Sequence, residues 1–518
     1  MHETHSAAHT GEIPQTVNVN HPQQPATSPI PPVNTAEPVA TGETNAEPHG
    51  KLARADFLLL AVMVVAAFVL ILNETLLGVA LPVLMSELHV SATTAQWSST
   101  GFMLTMAVVT PASGFIISRF SIRNVFMGAM AVFSLGALLA GVASSFGFLL
   151  AGRILQAMGT GIIMPLLMTT MMRLVPPAKI GRAMGLIGMV ISAAPAMGPT
   201  VSGLILGAAS WHWLFLSVLP IGLLALIVGI RLAPNTIPEG GENQRLDVLS
   251  MILSTIGFGG LVLGLSSLGG SSSHGGSSLN VNPWATIIIS ALILVVFVMR
   301  QLKLQKGASP FMDLRVFTHF PFVLSVLMSS VAMSVLLGSS VLLPLYTVNV
   351  LGLDSLQTGL LLLPGGVLSA LLSPVVGNLA DRFPAYKLVI PGALLFAGSI
   401  WLMTFFDENT STGFVLMVYV VLSGVLPLMT TPMMGLGLGS LPANLYSYGS
   451  SAMTTMQQVG SAAATAIFVA LMGIGAAWHG GEGKEALASG VHLAFTVAAC
   501  ISLVAIVVAF LIPRKQVN

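Results

Sequence analysis

From about residue 55 onward the chain is a succession of apolar runs, each closed by a short polar or Gly/Pro-containing break. A helix needs about 20 apolar residues to cross the roughly 30 Å hydrocarbon core of a bilayer. Fourteen such spans are predicted, at 56–80, 94–117, 124–144, 147–171, 181–207, 212–232, 247–268, 283–302, 320–349, 355–379, 387–406, 412–434, 449–477 and 489–512. The first 50 residues differ sharply. They are rich in Pro, Thr, Glu, Asn and His and hold no apolar stretch, which predicts a disordered tail and not a secretory signal.

Charge placement supports the count. With the N-terminus cytoplasmic, every Lys and Arg except Lys484 and Arg153 falls at or near the cytoplasmic side, as the positive-inside bias requires. A miscount by one span would scramble that segregation. Both termini are therefore expected in the cytoplasm. The segment 269–282 reads GGSSSHGGSSLNVN, a flexible linker on the other side. The expected organisation is a tail at 1–50, a first six-helix bundle at 51–232, and a linker with two additional helices at 233–315. A second six-helix bundle at 316–512 and a cytoplasmic C-terminus at 513–518 complete it.

Composition narrows the chemistry. The chain is 54% hydrophobic and 7% charged, where a soluble domain carries about 25% charged residues. A net charge of +1 gives no reason to expect nucleic acid. The single cysteine, Cys500, rules out a disulfide framework. No metal site and no cofactor are expected: His2, His5 and His9 are too sparse for a metal, and no Walker phosphate loop occurs for ATP. An enzyme is not expected.

Only Glu74 and Arg153 lie well inside predicted spans. A charge at the helix centre costs about 3 kcal/mol on insertion scales, so such groups face partners or a water-filled path. An intramembrane acid and base together point to proton-coupled transport. Deprotonated, Glu74 can attract a cation or pair with a base; protonated, it is neutral and releases either. Arg153 is the base that would either tune the proton affinity of Glu74 or pair with it between cycles.

The halves carry an internal repeat. PASGFIISRF at 111–120 and PVVGNLADRF at 374–383 both fit P-x-x-G-x-x-x-x-R-F, and both close the second span of their half. Repeats of this kind place a substrate site between halves near the midplane. The repeat resembles the loop signature of the major facilitator superfamily, G-x-x-x-D-R-x-x-x-R/K. Its second copy is Gly377, Asp381, Arg382 and Lys387; its first is Gly114, Arg119 and Arg123, with Ser118 at the Asp position.

Further segments carry the same resemblance. LLAGRILQAMGTG, with Arg153, Gln156 and Gly159, is similar to the superfamily's R-x-x-Q-G-type motif. Span 5, with Gly188, Pro195, Gly198, Pro199 and Gly203, resembles the antiporter motif. ILNETLLGVALP in span 1 resembles the L-D-x-T-x-x-N-V-A-L-P of fourteen-span drug:proton antiporters, with Asn73 at the Asp position and the carboxylate one residue on, at Glu74. QWSSTGFML, WHWLFLSVLPIG and LGSLPANLYSYGSSAMTTMQQVGSAAATA look like the lincomycin-resistance-type exporters of the QacA/EmrB-like group.

The resemblance implies an all-α membrane protein of the major facilitator fold, two six-helix bundles plus two helices. It implies a proton-coupled antiporter that exports amphipathic drugs from a bacterial cytoplasmic membrane, acting as a monomer. A dedicated exporter of an endogenous metabolite, lipid or peptide stands as the alternative, with a non-transporting sensor behind it. Gly114, Arg119, Arg123, Gly377, Asp381, Arg382 and Lys387 would gate the cytoplasmic side. Glu74 and Arg153 would couple protons, with Glu74 either taking over the family Asp or serving another role. The substrate cavity is expected to draw on Asn73, Gln156, Tyr346, Asn349, Gln357, Gln457 and Gln458. Gln457 and Gln458 are helix neighbours and cannot both face it.

Overall fold

The computed structural model describes residues 54–235, 247–270, 282–305, 310–478 and 483–513. The predicted tail, most of 233–246 and of the 269–282 linker, and Lys51, Arg245, Lys306, Arg514 and Lys515 lie outside the described residues. Among the described residues there is no strand.

The first set of helices is α1 (Arg54–Glu87), α2 (Ala92–Arg119), α3 (Ile122–Gly141), α4 (Phe146–Leu174), α5 (Ile180–Ala208), α6 (Trp213–Leu216) and α7 (Leu219–Leu232). Next come α8 (Val248–Gly270) and α9 (Pro283–Leu304). The last set is α10 (Phe320–Asn349), α11 (Ser355–Ala380), α12 (Ala385–Met403), α13 (Thr412–Gly439), α14 (Tyr446–Trp478) and α15 (Lys484–Leu511). Fourteen segments among the described residues are long and apolar enough to cross a membrane, α6 and α7 forming one of them. That makes this a multi-pass membrane protein. In hydrocarbon a helix satisfies all its backbone polar groups internally, which is why every crossing takes this form.

Helix ends follow capping chemistry more closely than hydropathy. Ser91, Ser121 and Ser411 accept the backbone N–H three residues on and start α2, α3 and α13. Each such cap is worth about 1 kcal/mol. Helix α1 runs to Glu87, two turns past its predicted apolar end, because the chain is not turned until the cap at Ser91. The predicted sixth span is broken at Ser217–Val218, where Pro220 in the first turn of α7 lacks the N–H needed to continue α6.

Helices α1–α7 pack chiefly on one another, and so do α10–α15. The two sets meet along two antiparallel seams, α5 on α11 and α2 on α14. Helices α8 and α9 pair, and α8 lies against both α2 and α14, so the two additional helices back one of these seams. A chain of rings ties them in: Phe258 meets Phe297, Phe297 meets Phe311, and Phe311 stacks on Phe115 of α2, at centroid spacings of 6.2, 6.3 and 6.2 Å. At the same end Asp247 accepts two hydrogen bonds from Arg300, at 2.8 and 2.9 Å. Hydrogen bonding from Arg300 holds the Asp247 carboxyl down at about 2.

Candidate functional site

Arg153 projects from α4 into the interior and is fully buried. It does not snorkel to an interface. Its Nη1 donates to Asn73 Oδ1 at 3.0 Å, Gln156 Oε1 at 3.1 Å and the Asn73 carbonyl at 3.4 Å. Its Nε donates to the Ser98 carbonyl at 3.4 Å, and its guanidinium carbon lies 4.0 Å from the centroid of the Phe102 ring. Four neutral acceptors and a π face thus replace water around the cation. Helix periodicity places Gln156 here, one turn from Arg153.

Asn73, in the family Asp position, is the direct partner of the arginine. Glu74 is the next residue on α1, about 100° further around the helix. It is half-buried and within electrostatic reach of Arg153. Among the described residues it forms no ion pair with Arg153 inside 4.0 Å. The amide nitrogens of Asn73 and Gln156 are buried without a hydrogen-bond partner among the described residues. Their oxygens are taken by Arg153, which leaves both amide N–H groups unpaired within the cluster.

The antiporter segment is split by the structure. Gly198 is buried against α1, where a methyl group would overlap the Thr75 side chain. Thr75 itself donates back to the Leu72 carbonyl at 2.9 Å. Gly188 faces α13, with Thr431 Oγ1 3.1 Å from where its Cβ would lie. Gly203, expected at a close helix approach, has nothing within 4 Å of that point. Gly203 is exposed, although Ser202 beside it is buried and Val201, Ile205 and Leu206 pack inward. Pro195 is half-buried and Pro199 exposed, and α5 continues through both.

Both copies of the repeat lie in seams. In α11, Gly377 and Gly185 of α5 admit near backbone contact, each Cβ position lying 3.0 Å from the other residue's Cα. Asp381 then accepts the N–H groups of Gly181 and Arg182 at 2.6 and 3.0 Å. A carboxylate at a helix N-terminus suits the helix dipole. Burial raises the Asp381 carboxyl above the usual range, and the N–H groups of Arg182 and Gly181 pull against that rise. Arg382 and Lys387 stand exposed, so this latch is built from the carboxylate and the glycines.

The first copy uses other chemistry at the same register. Gly114 faces Ser451 of α14, whose hydroxyl donates to the Thr110 carbonyl at 2.6 Å. Ser118, in the Asp position, donates to the Tyr448 hydroxyl at 3.1 Å. Arg119 and Arg123 flank this turn, both half-buried. Thr169 and Ser450, 2.7 Å apart, add a contact between α4 and α14.

The expected cavity residues of the second half do not converge on Arg153. The Tyr346 hydroxyl donates to the Asp407 carbonyl at 2.6 Å, with its ring stacked on Phe406. Gln357 closes a capping box with Asp354 at the start of α11. Asn349 is the exposed last residue of α10. Gln457 is buried on α14, and the Gln458 side-chain oxygen is buried without a partner among the described residues. Tyr346 and Gln357 thus make structural hydrogen bonds, and of the helix neighbours Gln457 and Gln458 only one can face a cavity. Ser98, Phe102, Tyr448 and Ser451 were not singled out, although each lies in a segment that carries the family resemblance.

A helical membrane protein of two packed sets, joined at two seams and holding a buried polar cluster, has the form of a secondary transporter. Comparison with known proteins gives the family. Residues 63–465 match the model of the Major Facilitator Superfamily. Lincomycin resistance protein LmrB of Bacillus subtilis is 37% identical over 465 residues, covering 88% of this chain and 95% of that protein. The MFS-type transporter YcnB of the same organism is 38% identical over 460 residues, with the same coverage of both. A multidrug resistance protein B homolog of Mycobacterium tuberculosis is 28% identical over 418 residues, covering 79% of this chain and 75% of that one. The structure of the proton:xylose symporter XylE superposes with a TM-score of 0.62 at 14% identity, over 89% of this chain and 96% of that one. The chain belongs to the major facilitator superfamily, a family of transporters and not of enzymes.

Proposed function

We propose that this protein is a proton-coupled antiporter that exports amphipathic drugs from the cytoplasm by alternating access. The observation that carries the proposal is the division of labour between Asn73 and Glu74. Asn73 holds Arg153 with a neutral hydrogen bond, which leaves the adjacent carboxyl free of a fixed ion pair. That carboxyl can exchange its proton as the substrate arrives and leaves, because the charge of Arg153 stays solvated by protein throughout. The names of the relatives LmrB and the multidrug resistance protein B homolog support a drug as cargo.

Positive-inside reasoning puts both termini, and the seam latches, in the cytoplasm. With α5–α11 and α2–α14 joined at that end, the conformer is the one closed to the cytoplasm. A proton entering from outside would meet Glu74, neutralise it and release the substrate. The seams would then part to admit the next one. One protomer holds all the groups this cycle needs.

The test is substrate-induced proton release from protein in proteoliposomes. Glu74→Gln keeps the size and hydrogen bonding of the side chain but removes its titrating proton. It should lose proton release and uphill efflux by at least about tenfold, the loss that about 1.4 kcal/mol of coupling represents. Exchange of substrate for protons at the wild-type rate in Glu74→Gln would reject the mechanism.

A further inference from the structure

Gln301 of α9 has no part in the machinery above. It is fully buried, on a helix whose exposed positions from Ile288 to Leu302 are all apolar. A buried carboxamide persists where both its ends find partners. Its Nε2 donates to Ser250 Oγ of α8 at 2.7 Å, and its Oε1 accepts the backbone N–H of Met312 at 3.1 Å. Ser250 in turn donates to Asp247, the partner of Arg300. A hydrogen-bonded chain thus ties the α8–α9 pair to the main chain of the segment that leads into α10.

That segment, 311–316, touches both sides of the α2–α14 seam. Buried Phe311 stacks on Phe115 of α2, which lies between Gly114 and Ser118, the two residues that meet α14. The short turn of helix Leu314–Thr318 packs on α14. Met312 and Val316 are buried in one apolar cluster with Phe115 and Tyr448. Arg315 lies within electrostatic reach of the Tyr448 hydroxyl, and buried Asp313 holds its guanidinium at 2.6 and 3.0 Å. When α2 and α14 separate, the segment can follow only one of them, so one set of these contacts must break.

We infer that 311–316 is a strap that holds the α2–α14 seam closed, and that Gln301 is the positioning residue that fixes it. The two additional helices thereby set how readily the cytoplasmic side opens. The inference rests on that seam parting during transport, as proposed above, and is independent of Glu74 and of the cargo.

The test reads opening directly, in inverted membrane vesicles with no substrate and no proton gradient. The reporter is Ser451→Cys in a Cys500→Ala background, a thiol placed in the closed seam opposite Gly114. An impermeant maleimide labels it only when the seam opens. Phe311→Ala removes the stack on α2, and Gln301→Leu keeps bulk but leaves the Met312 N–H without its acceptor. Each should speed labelling by at least about fivefold, the low end of coupling between separate sites. Trp284→Ala, a truncation at the exposed far end of α9, should leave the rate unchanged. A second reporter, Ser502→Cys, is buried in α15 and should stay unlabelled in every variant, which separates seam opening from a loosened fold. Labelling at the wild-type rate in either folded variant would overturn the inference. So would a matching rise at both reporters. A failure of proton coupling shows in the Glu74→Gln assay and leaves these rates untouched, so the two failures are distinguishable.

Discussion

At the scale of single residues, the chemistry most legible in the sequence was the chemistry most costly to bury. Arg153 and Glu74 stand out because hydrocarbon tolerates few charges, and the structure seats Arg153 among Asn73, Gln156, Ser98 and Phe102. The Ser98 contribution was invisible because it is a main-chain carbonyl, which any residue type supplies. Gln357 was misread although its signal was present: Asp354 and Gln357 have the D-x-x-Q spacing of a capping box. Tyr346 gave no such signal, since its partner is a carbonyl 61 positions along the chain. The Asn73 amide now makes a definite prediction. Asn73→Asp places a carboxylate where the arginine already donates at 3.0 Å. A buried charge pair is hard to break, so the substituted site should trap Arg153. Glu74 should then titrate beside a neutralised arginine, and efflux should fall severalfold in the single variant. In Asn73→Asp with Glu74→Gln the same pair forms and no unpaired carboxyl is left beside it, so efflux should stay as low as in Glu74→Gln alone. Recovery of proton-coupled efflux in the double variant would show that a carboxylate at position 73 carries the proton in spite of that pair.

At the scale of helices, the count of fourteen was legible because each span must be apolar for a fixed length, while their partners were not, because the lipid and the interior are equally apolar. The antiporter motif illustrates this. Its glycines look equivalent in sequence, yet Gly198 presses on Thr75 and Gly203 meets nothing. Overpacking a close contact costs about 1–3 kcal/mol or more. Gly198→Leu should therefore force α5 away from α1 and cut transport at least tenfold, with membrane insertion intact. Gly203→Leu should transport at nearly the wild-type rate. Efflux assays on the two variants, matched for expression, check the contrast. Equal loss in both would mean that the motif works through bending of α5 and not through the Thr75 contact. The role of α8 and α9 likewise had no sequence signature. It emerges only from the Phe258–Phe297–Phe311–Phe115 ring chain and from α8 lying on both α2 and α14.

At the scale of the whole molecule, the internal repeat announced two related latches, and the seams show how one register serves two chemistries. Asp381 engages backbone N–H groups of α5, whereas Ser118 engages the Tyr448 hydroxyl of α14. The loss of the acid in the first copy is thus matched by what the opposing helix offers. The proposed cycle requires both seams to part, since α5 and α11 are in contact from Asp381 up to Gly366 and Ala196. Within that stretch the Ser192 and Ser369 hydroxyls lie 3.0 Å apart, which makes them a natural crosslinking pair. The only native cysteine, Cys500, is exposed on α15 and is removed first by Cys500→Ala. Ser192→Cys with Ser369→Cys in that background should form a disulfide on mild oxidation, because side chains this close need only a small shift to reach bonding geometry. The oxidised protein should be held closed at the end bearing the basic loops. Efflux should stop, and a reductant should restore it; either single cysteine should transport under both conditions. Continued efflux from fully crosslinked protein would show that α5 and α11 do not separate during transport, and the seam would then be a fixed wall of the molecule and not its gate.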